Sequence, residues 1–300
     1  MSEKKRILIT GGSGLIGTRL TTMLLDKGYY VAHLSRNRTG NEKNKTYQWE
    51  PAAGKIEMDA FSDIDYIVHL AGENIASHRW TKDFKKKIID SRIQSSLLLK
   101  EKLSAFPNIK AILCSSASGI YKDEGEKWLD ENSSHGTNFL AHTCEQWEAS
   151  NNHFPCRTVI LRTGIVLSDK SGALPELMMP FHFGLAVYFG SGNFYQSWIH
   201  LDDLCRMYIY CIENDSIQGI YNAVAPNPVT NLQLTNSLRK QIGKFTLLVS
   251  APLFILKLIL GEKSIIVTEG CRMSAKKIVS RGFQFLYSSI DDAFKNLVSK

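Results

Sequence analysis

The residues with the most chemistry to offer stand near the start of the chain. In ILITGGSGLIGTRL, glycines fall at 11, 12, 14 and 17, directly after a short apolar run and at the head of a helix-period segment. Gly11 permits a tight turn, Gly14 lets backbone approach a pyrophosphate, and Gly17 allows close helix packing, while the helix N-terminus receives the negative charge. Gly11, Ser13, Gly14, Leu15, Ile16 and Gly17 are therefore the candidates to line a bound dinucleotide. The competing reading is a glycine-rich turn with no ligand, and the strand-loop-helix context favours the dinucleotide.

The next β-type run ends in HLSRNR. The acid that would hold a ribose 2′-hydroxyl is missing there, and Ser35, Arg36 and Arg38 stand in its place. A guanidinium matches a 2′-phosphate bidentately, whereas a carboxylate repels it. NADP(H) is accordingly expected in preference to NAD(H), against the alternative of plain surface arginines.

Groups for acid or base work are sparser. Ser116 and Ser118 follow the run AILCSS, where a hydroxyl could bond a substrate carbonyl or simply close a turn, and Tyr121 is the nearest phenol, unless it only packs. Ser116 and Tyr121 are the catalytic candidates. Glu73 and Asn74 in AGENI could contact a ligand at the cleft mouth, although Asn after Gly is also ordinary loop chemistry. Cysteines 114, 144, 156, 205, 211 and 271 are irregularly spaced, with no Cys-x-x-Cys and no matching His, so free thiols in a reducing cytoplasm are expected and no metal site.

Elements must position these residues. Apolar runs at 6–10, 30–35, 66–72, 111–116 and 157–162 alternate with helix-period segments at about 15–27, 80–104 and 138–151. That alternation predicts an α/β fold, a Rossmann-like doubly wound parallel sheet with crossover helices on both faces. After Arg162 the pattern changes, so residues 1–166 read as the dinucleotide-binding domain and 167–300 as a smaller, mainly helical substrate lobe. The run GIYNAV (219–224) is expected to rejoin the sheet. The window LLVSAPLFILKLIL (247–260), interrupted by Pro252 and Lys257, is too short to span a bilayer and reads as a buried helix. In IHLDDL, Asp202 is expected to cap the apolar helix that follows.

The net charge of +7 comes with no basic arm, and the run Lys82–Lys87 reads as a solvated helix face. The N-terminus lacks a signal-peptide pattern. The expected partners are a small-molecule substrate, with no nucleic acid and no membrane, and the expected location is the cytoplasm.

TGGSGLIG, VHLAG, SSASGIY, LRTGIVL and SWIHLDDL, taken in order, resemble the extended short-chain dehydrogenase/reductase superfamily. HLAGENIASHRW, IIDSR, FLAHTCEQWE, YNAVAPNPVTN and EGCRMSAKKIVSRGFQF narrow the resemblance to its atypical NAD-dependent epimerase/dehydratase-like family, across nearly the whole chain. The resemblance implies that Leu70, Ala71 and Gly72 lie against the adenosine side, that Val166 lies near the nicotinamide, and that Arg92 reaches the cofactor from the long helix. Arg92 could equally be a solvated helix charge, and Leu70 to Gly72 a core strand end. Relatives carry a Tyr and, four residues later, a Lys for proton transfer; Leu140 and Cys144 occupy those positions here. Gln196 stands where nucleotide-sugar enzymes often place a diphosphate-clamping Arg, which counts against that substrate class. Helices 80–104 and 138–151 often form dimers in the superfamily, so a homodimer is one possible assembly.

Overall fold

The structure is a computed structural model that describes residues 4–37 and 44–298. Its centre is an eight-stranded sheet of β1 (Arg6–Thr10), β2 (Tyr30–Ser35), β3 (Lys45–Glu50), β4 (Lys55–Ile56), β5 (Tyr66–His69), β6 (Ala111–Ala117), β7 (Arg157–Thr163) and β8 (Gly219–Ala223). The order across the sheet is β8-β7-β6-β5-β1-β2-β3-β4, and all neighbours are parallel except β3 and β4. Strand order reverses at β1, which lies between β2 and β5. In such sheets the crevice beyond the carboxyl ends at the reversal is where ligands bind.

Both faces of the sheet are covered, which is why its inner strands are continuously apolar. Ile7, Leu8 and Ile9 are all fully buried, yet alternate residues face opposite ways. Ile7 and Ile9 pack with Leu20 and Leu24 of α1 (Leu15–Asp26) and with Leu204, from the helix Leu201–Glu213 described below; Leu8 packs with Leu98 and Leu99 of α2 (Lys82–Leu103). Thr81 starts α2 by accepting the Phe84 N–H at 3.2 Å. The lysine run at its head is partnered with acids, Lys86 with Asp90 and Lys87 with Glu73.

The helix α3 (Phe139–Ser150) precedes β7, and α4 (Leu201–Glu213) packs on α1 before the chain enters β8. Helix α4 therefore lies in the layer over the sheet, beyond the boundary expected at 166, and Gly219–Ala223 joins the sheet beside β7. The cap of α4 also differs from expectation. His200 Nδ1 accepts the Asp202 N–H at 3.0 Å, while the Asp202 carboxylate grips Arg19 on α1 at 2.7 and 2.9 Å. An imidazole acceptor at the N-cap freed that acid to tie the two helices together.

The remaining lobe has its own core around Trp198, Leu234, Leu238 and Phe294, between α5 (Asn231–Ile242) and the terminal helix Ile290–Val298. A reciprocal capping box between Thr230 and Gln233 starts α5. The lobe also contains a parallel ribbon of Leu185–Phe189 with Leu247–Ala251. The window 247–260, expected to be one buried helix, is instead a ribbon strand followed by the helix Leu253–Leu260, in which no residue is buried. Pro252 forces the break between them. Strand β3, KTYQWE, was not among the expected runs: its apolar side chains are only Tyr47 and Trp49, alternating with polar ones, and Trp49 alone is buried.

Ile112 of β6 sits between Ile67 and Thr158 with no exposed surface. Ile112→Ala is expected to lower unfolding free energy by about 2–5 kcal/mol; an unchanged urea midpoint would contradict this placement of the core.

Candidate cofactor site and the buried ion pair beside it

The turn after β1 is shaped by its glycines. Gly11 has φ 70°, and a side-chain carbon there would lie 2.9 Å from the Leu70 carbonyl carbon. At Gly17 it would lie 2.4 Å from the Gly11 oxygen, so the first turn of α1 packs directly on the loop backbone. Gly12 faces the His33 ring, 2.7 Å from where its Cβ would be. Gly14 meets only its own loop, and with Ser13 and Leu15 it lines a cleft of 410 Å³ whose other walls, Arg19, Ser168 and Asn296 among them, include none of Leu70 to Gly72, Arg92 or Val166. No side chain caps α1 and no acid lies in its first turn, so the positive end of the helix is left for an anion.

The segment that this loop touches is fixed from below. Leu70 and Ala71 each donate a backbone N–H to Thr10 Oγ1 at 3.1 Å, and Thr10 Oγ1 lies 2.7 Å from His69 Nδ1. With its lone pairs filled, the Thr10 hydroxyl donates to Nδ1, which leaves the ring proton on Nε2, facing Ser96 at 3.2 Å and Ser95 at 3.3 Å on α2. Complete burial holds His69 neutral, with its pKa lowered to about 3. Thus Leu70, Ala71 and Gly72 are held against Gly11.

Arg92 leans on the same segment. Its Nη1 donates to the carbonyls of Glu73 and Ile88 at 3.1 and 3.0 Å, its guanidinium lies 4.9 Å from the Trp147 ring, and a Cβ on Gly72 would come within 3.3 Å of Cζ. Burial lowers its pKa, and among the described residues no carboxylate pairs with it. Val166, in the strand Ile165–Leu167, packs in the same cluster as Leu15 and Ile16. Ser35 ends β2 and Arg36 is exposed next to it; Arg38 lies outside the described residues.

On α3 the geometry at the Tyr and Lys positions is apolar. Leu140 lies against Gly119, and Cys144 is a buried core thiol whose pKa burial pushes up to about 12. One turn further, Glu148 is buried against Arg162 of β7 in a bidentate pair, both contacts 2.8 Å. Ser116 donates to Glu148 Oε1 at 2.6 Å. Tyr121 donates to Asn222 Oδ1 at 2.7 Å and accepts from Arg162 Nη1 at 2.9 Å, with its phenol pushed up to about 12 by burial. Arg162 Nη2 also lies 3.3 Å from His135 Nε2, which must accept, so Nδ1 of that ring donates to Glu145 at 2.9 Å. Ser116 and Tyr121 are thus brought together, but by an ion pair rather than by an open site. The sequence carried a signal for the pair: an arginine closing an apolar strand must find a counter-charge, and Glu148 closes the nearby segment FLAHTCEQWE. Gln196 is buried and accepts from Asn231 Nδ2 at 3.4 Å, turned into the lobe.

Two consequences are measurable. Glu148→Gln should cost about 3–5 kcal/mol by stranding the guanidinium, whereas Glu148→Leu combined with Arg162→Met should recover much of that loss; equal losses in urea unfolding would contradict the pairing. For His69 the folded pKa lies below the unfolded value, so the unfolded chain binds the extra proton between about pH 6.5 and 3 and stability falls as pH drops through that window. The slope reaches about 1.4 kcal/mol per pH unit, and His69→Gln should remove that contribution; an unaltered pH profile would show that His69 is not held neutral.

Comparison with known proteins agrees with this architecture. Residues 7–223 match the model of the NAD dependent epimerase/dehydratase family, and residues 251–297 match a domain of unknown function. Epimerase family protein YfhF of Bacillus subtilis is 37% identical, covering 98% of both chains, and epimerase family protein ML0860 of Mycobacterium leprae is 32% identical over 97% of this chain and 95% of its own. The crystal structure of human epimerase family protein SDR39U1 with NADPH superposes with a TM-score of 0.88 at 27% identity, covering 98% of this chain and 99% of that one. The chain is a member of the NAD dependent epimerase/dehydratase family.

Proposed function

We propose that the protein is an NADP(H)-dependent oxidoreductase or epimerase-like enzyme acting on a small carbonyl or hydroxyl compound, with a proton-transfer route that does not use the usual Tyr/Lys pair. The observation that carries the cofactor assignment is the cradle: side-chain carbons at Gly11 and Gly17 would collide with backbone, while one at Gly14 would meet only the Gly11 oxygen at 3.3 Å and the start of α1 has no side-chain cap. The residues present fit a dinucleotide. Gly14, Ser13 and the helix start would hold the diphosphate, Leu70 to Gly72 and Arg92 would line the adenosine and ribose side, and Val166 would lie towards the nicotinamide. Ser35 and Arg36 suit a 2′-phosphate, and the human relative solved with NADPH supports the same choice.

A bound nicotinamide would supply hydride chemistry. The proton must come from elsewhere than position 140 or 144, because leucine carries none and a thiol held neutral by burial is a poor base. Ser116 and Tyr121 are proposed as positioning residues that keep α3 seated on β6 and β7 through Glu148 and Arg162. Gln196, tied to Asn231, offers no charge to a diphosphate, which favours a substrate without a nucleotide handle. The same locked hydroxyls favour a second reading, a non-catalytic NADP(H)-responsive protein.

Titration by intrinsic fluorescence is expected to give tighter binding of NADPH than of NADH, with Arg36→Glu reversing the order; equal affinities would overturn the NADP(H) assignment. Stopped-flow absorbance of bound NADPH across a panel of small carbonyl compounds separates the two functions. Oxidation by one of them supports the enzyme, and none across the panel, together with a conformation that differs between NADP and NADPH, supports the sensor.

A further inference from the structure

The lobe exposes apolar surface that the cofactor reading does not use. The helix Leu253–Leu260, LFILKLIL, buries none of its residues, with Phe254 at 72% and Leu258 at 79% exposure. It leaves one end of the parallel ribbon, where Leu253 packs at Gly190. At the other end, where Leu247 bonds Gly184, Phe183 and Phe245 protrude at 78% and 92% exposure. Large side chains this exposed mark a surface that meets something other than water.

Charge identifies the occupant. Between Asp215 and Glu262 the sequence holds no acidic residue, while Arg239, Lys240, Lys244 and Lys257 are all cationic. Lys240 approaches Asp291 at 3.7 Å, but Lys244 beside Phe245 and Lys257 within the apolar helix are exposed with no carboxylate partner among the described residues. A second copy of this face would bring the same positive charges into contact, which opposes self-association. Nucleic acid would call for arginines and stacking platforms rather than Leu and Ile. Phe, Leu and Ile projecting among lysines fit the boundary between headgroups and acyl chains of an anionic bilayer. No described helix is long and apolar enough to cross a membrane, so the contact is peripheral.

We infer that the ribbon and the helix Leu253–Leu260 form a docking face for an anionic lipid surface, with Phe245, Phe254 and Leu258 inserted and Lys244 and Lys257 at the headgroups. Directly after the helix, Glu262 pairs with Lys85 and Lys263 donates to the Ala76 carbonyl, so the face adjoins the segment that follows Leu70 to Gly72, and NADPH binding is kept as a separate readout in the test.

The test is co-sedimentation of the full chain with vesicles of phosphatidylglycerol or of phosphatidylcholine, at low and raised salt. Binding is expected to phosphatidylglycerol alone and to weaken with salt. Phe254→Ser with Leu258→Ser should abolish it, and Lys244→Gln or Lys257→Gln should each weaken it about five-fold. Unchanged NADPH affinity and thermal unfolding in these variants keep loss of fold from being mistaken for loss of docking. No sedimentation with either lipid overturns the proposal, as does equal binding to both. A concentration-dependent dimer in light scattering that the Phe254→Ser, Leu258→Ser variant dissolves, without lipid binding, assigns the face to self-association and overturns it too.

Discussion

A guanidinium and a carboxylate buried side by side impose a strict demand, because every donor and acceptor left unpaired costs free energy that burial of apolar surface must offset. In this fold Arg162 and Glu148 meet that demand by drawing in Ser116, Tyr121, the Glu131 carbonyl and His135. Asn222 extends the network to the carbonyls of Leu129 and Ser274. Strands β6, β7 and β8, the helix α3 and the chain entering the C-terminal region are thereby pinned at one point. The polar residues nearest to the expected catalytic position are the ones this pair consumes.

That arrangement leaves two separate polar systems at the carboxyl edge of the sheet. One is the cluster around Glu148 and Arg162. The other runs from Thr10 through His69 to Ser95 and Ser96, and sets the height of Leu70 to Gly72 against the glycine turn. Between them stand Arg92, Trp147 and Cys144, with a cation lying on an indole next to a neutral thiol. A fixed positive charge, Arg92 brought from α2, thus lies beside Cys144 of α3.

Much of this was legible in the residues, and the failures have physical causes. The glycine turn and the inner strands could be read because a buried parallel sheet demands apolar runs and a tight turn demands glycine. Strand β3 was harder to read because it lies one strand in from the sheet's edge, where only Tyr47 and Trp49 alternate with polar residues and the run does not stand out as the apolar inner strands do. The window 247–260 misled in another way: apolar character reports a preference to leave water, and Leu253–Leu260 meets that preference only partly within this chain. Ser116 and Tyr121 were recognisable as polar groups near the cleft, but which way a hydroxyl turns depends on Glu148, 32 residues away from Ser116. Asp202 looked like a cap by position, but the helix starts at Leu201, so His200 stands at the N-cap and Asp202, inside the first turn, pairs with Arg19.

Two proposals meet in one experiment: that the glycine turn holds a nicotinamide dinucleotide, and that the neighbouring hydroxyls serve the buried pair. A crystal structure with NADPH bound tests both most directly. The diphosphate is expected at Gly14 and the start of α1, with Arg92 beside the cofactor ribose and Ser116 and Tyr121 still bonded to Glu148 and Arg162. A nicotinamide C4 with Ser116 or Tyr121 turned towards it, or a diphosphate bound away from the glycine turn, would contradict them.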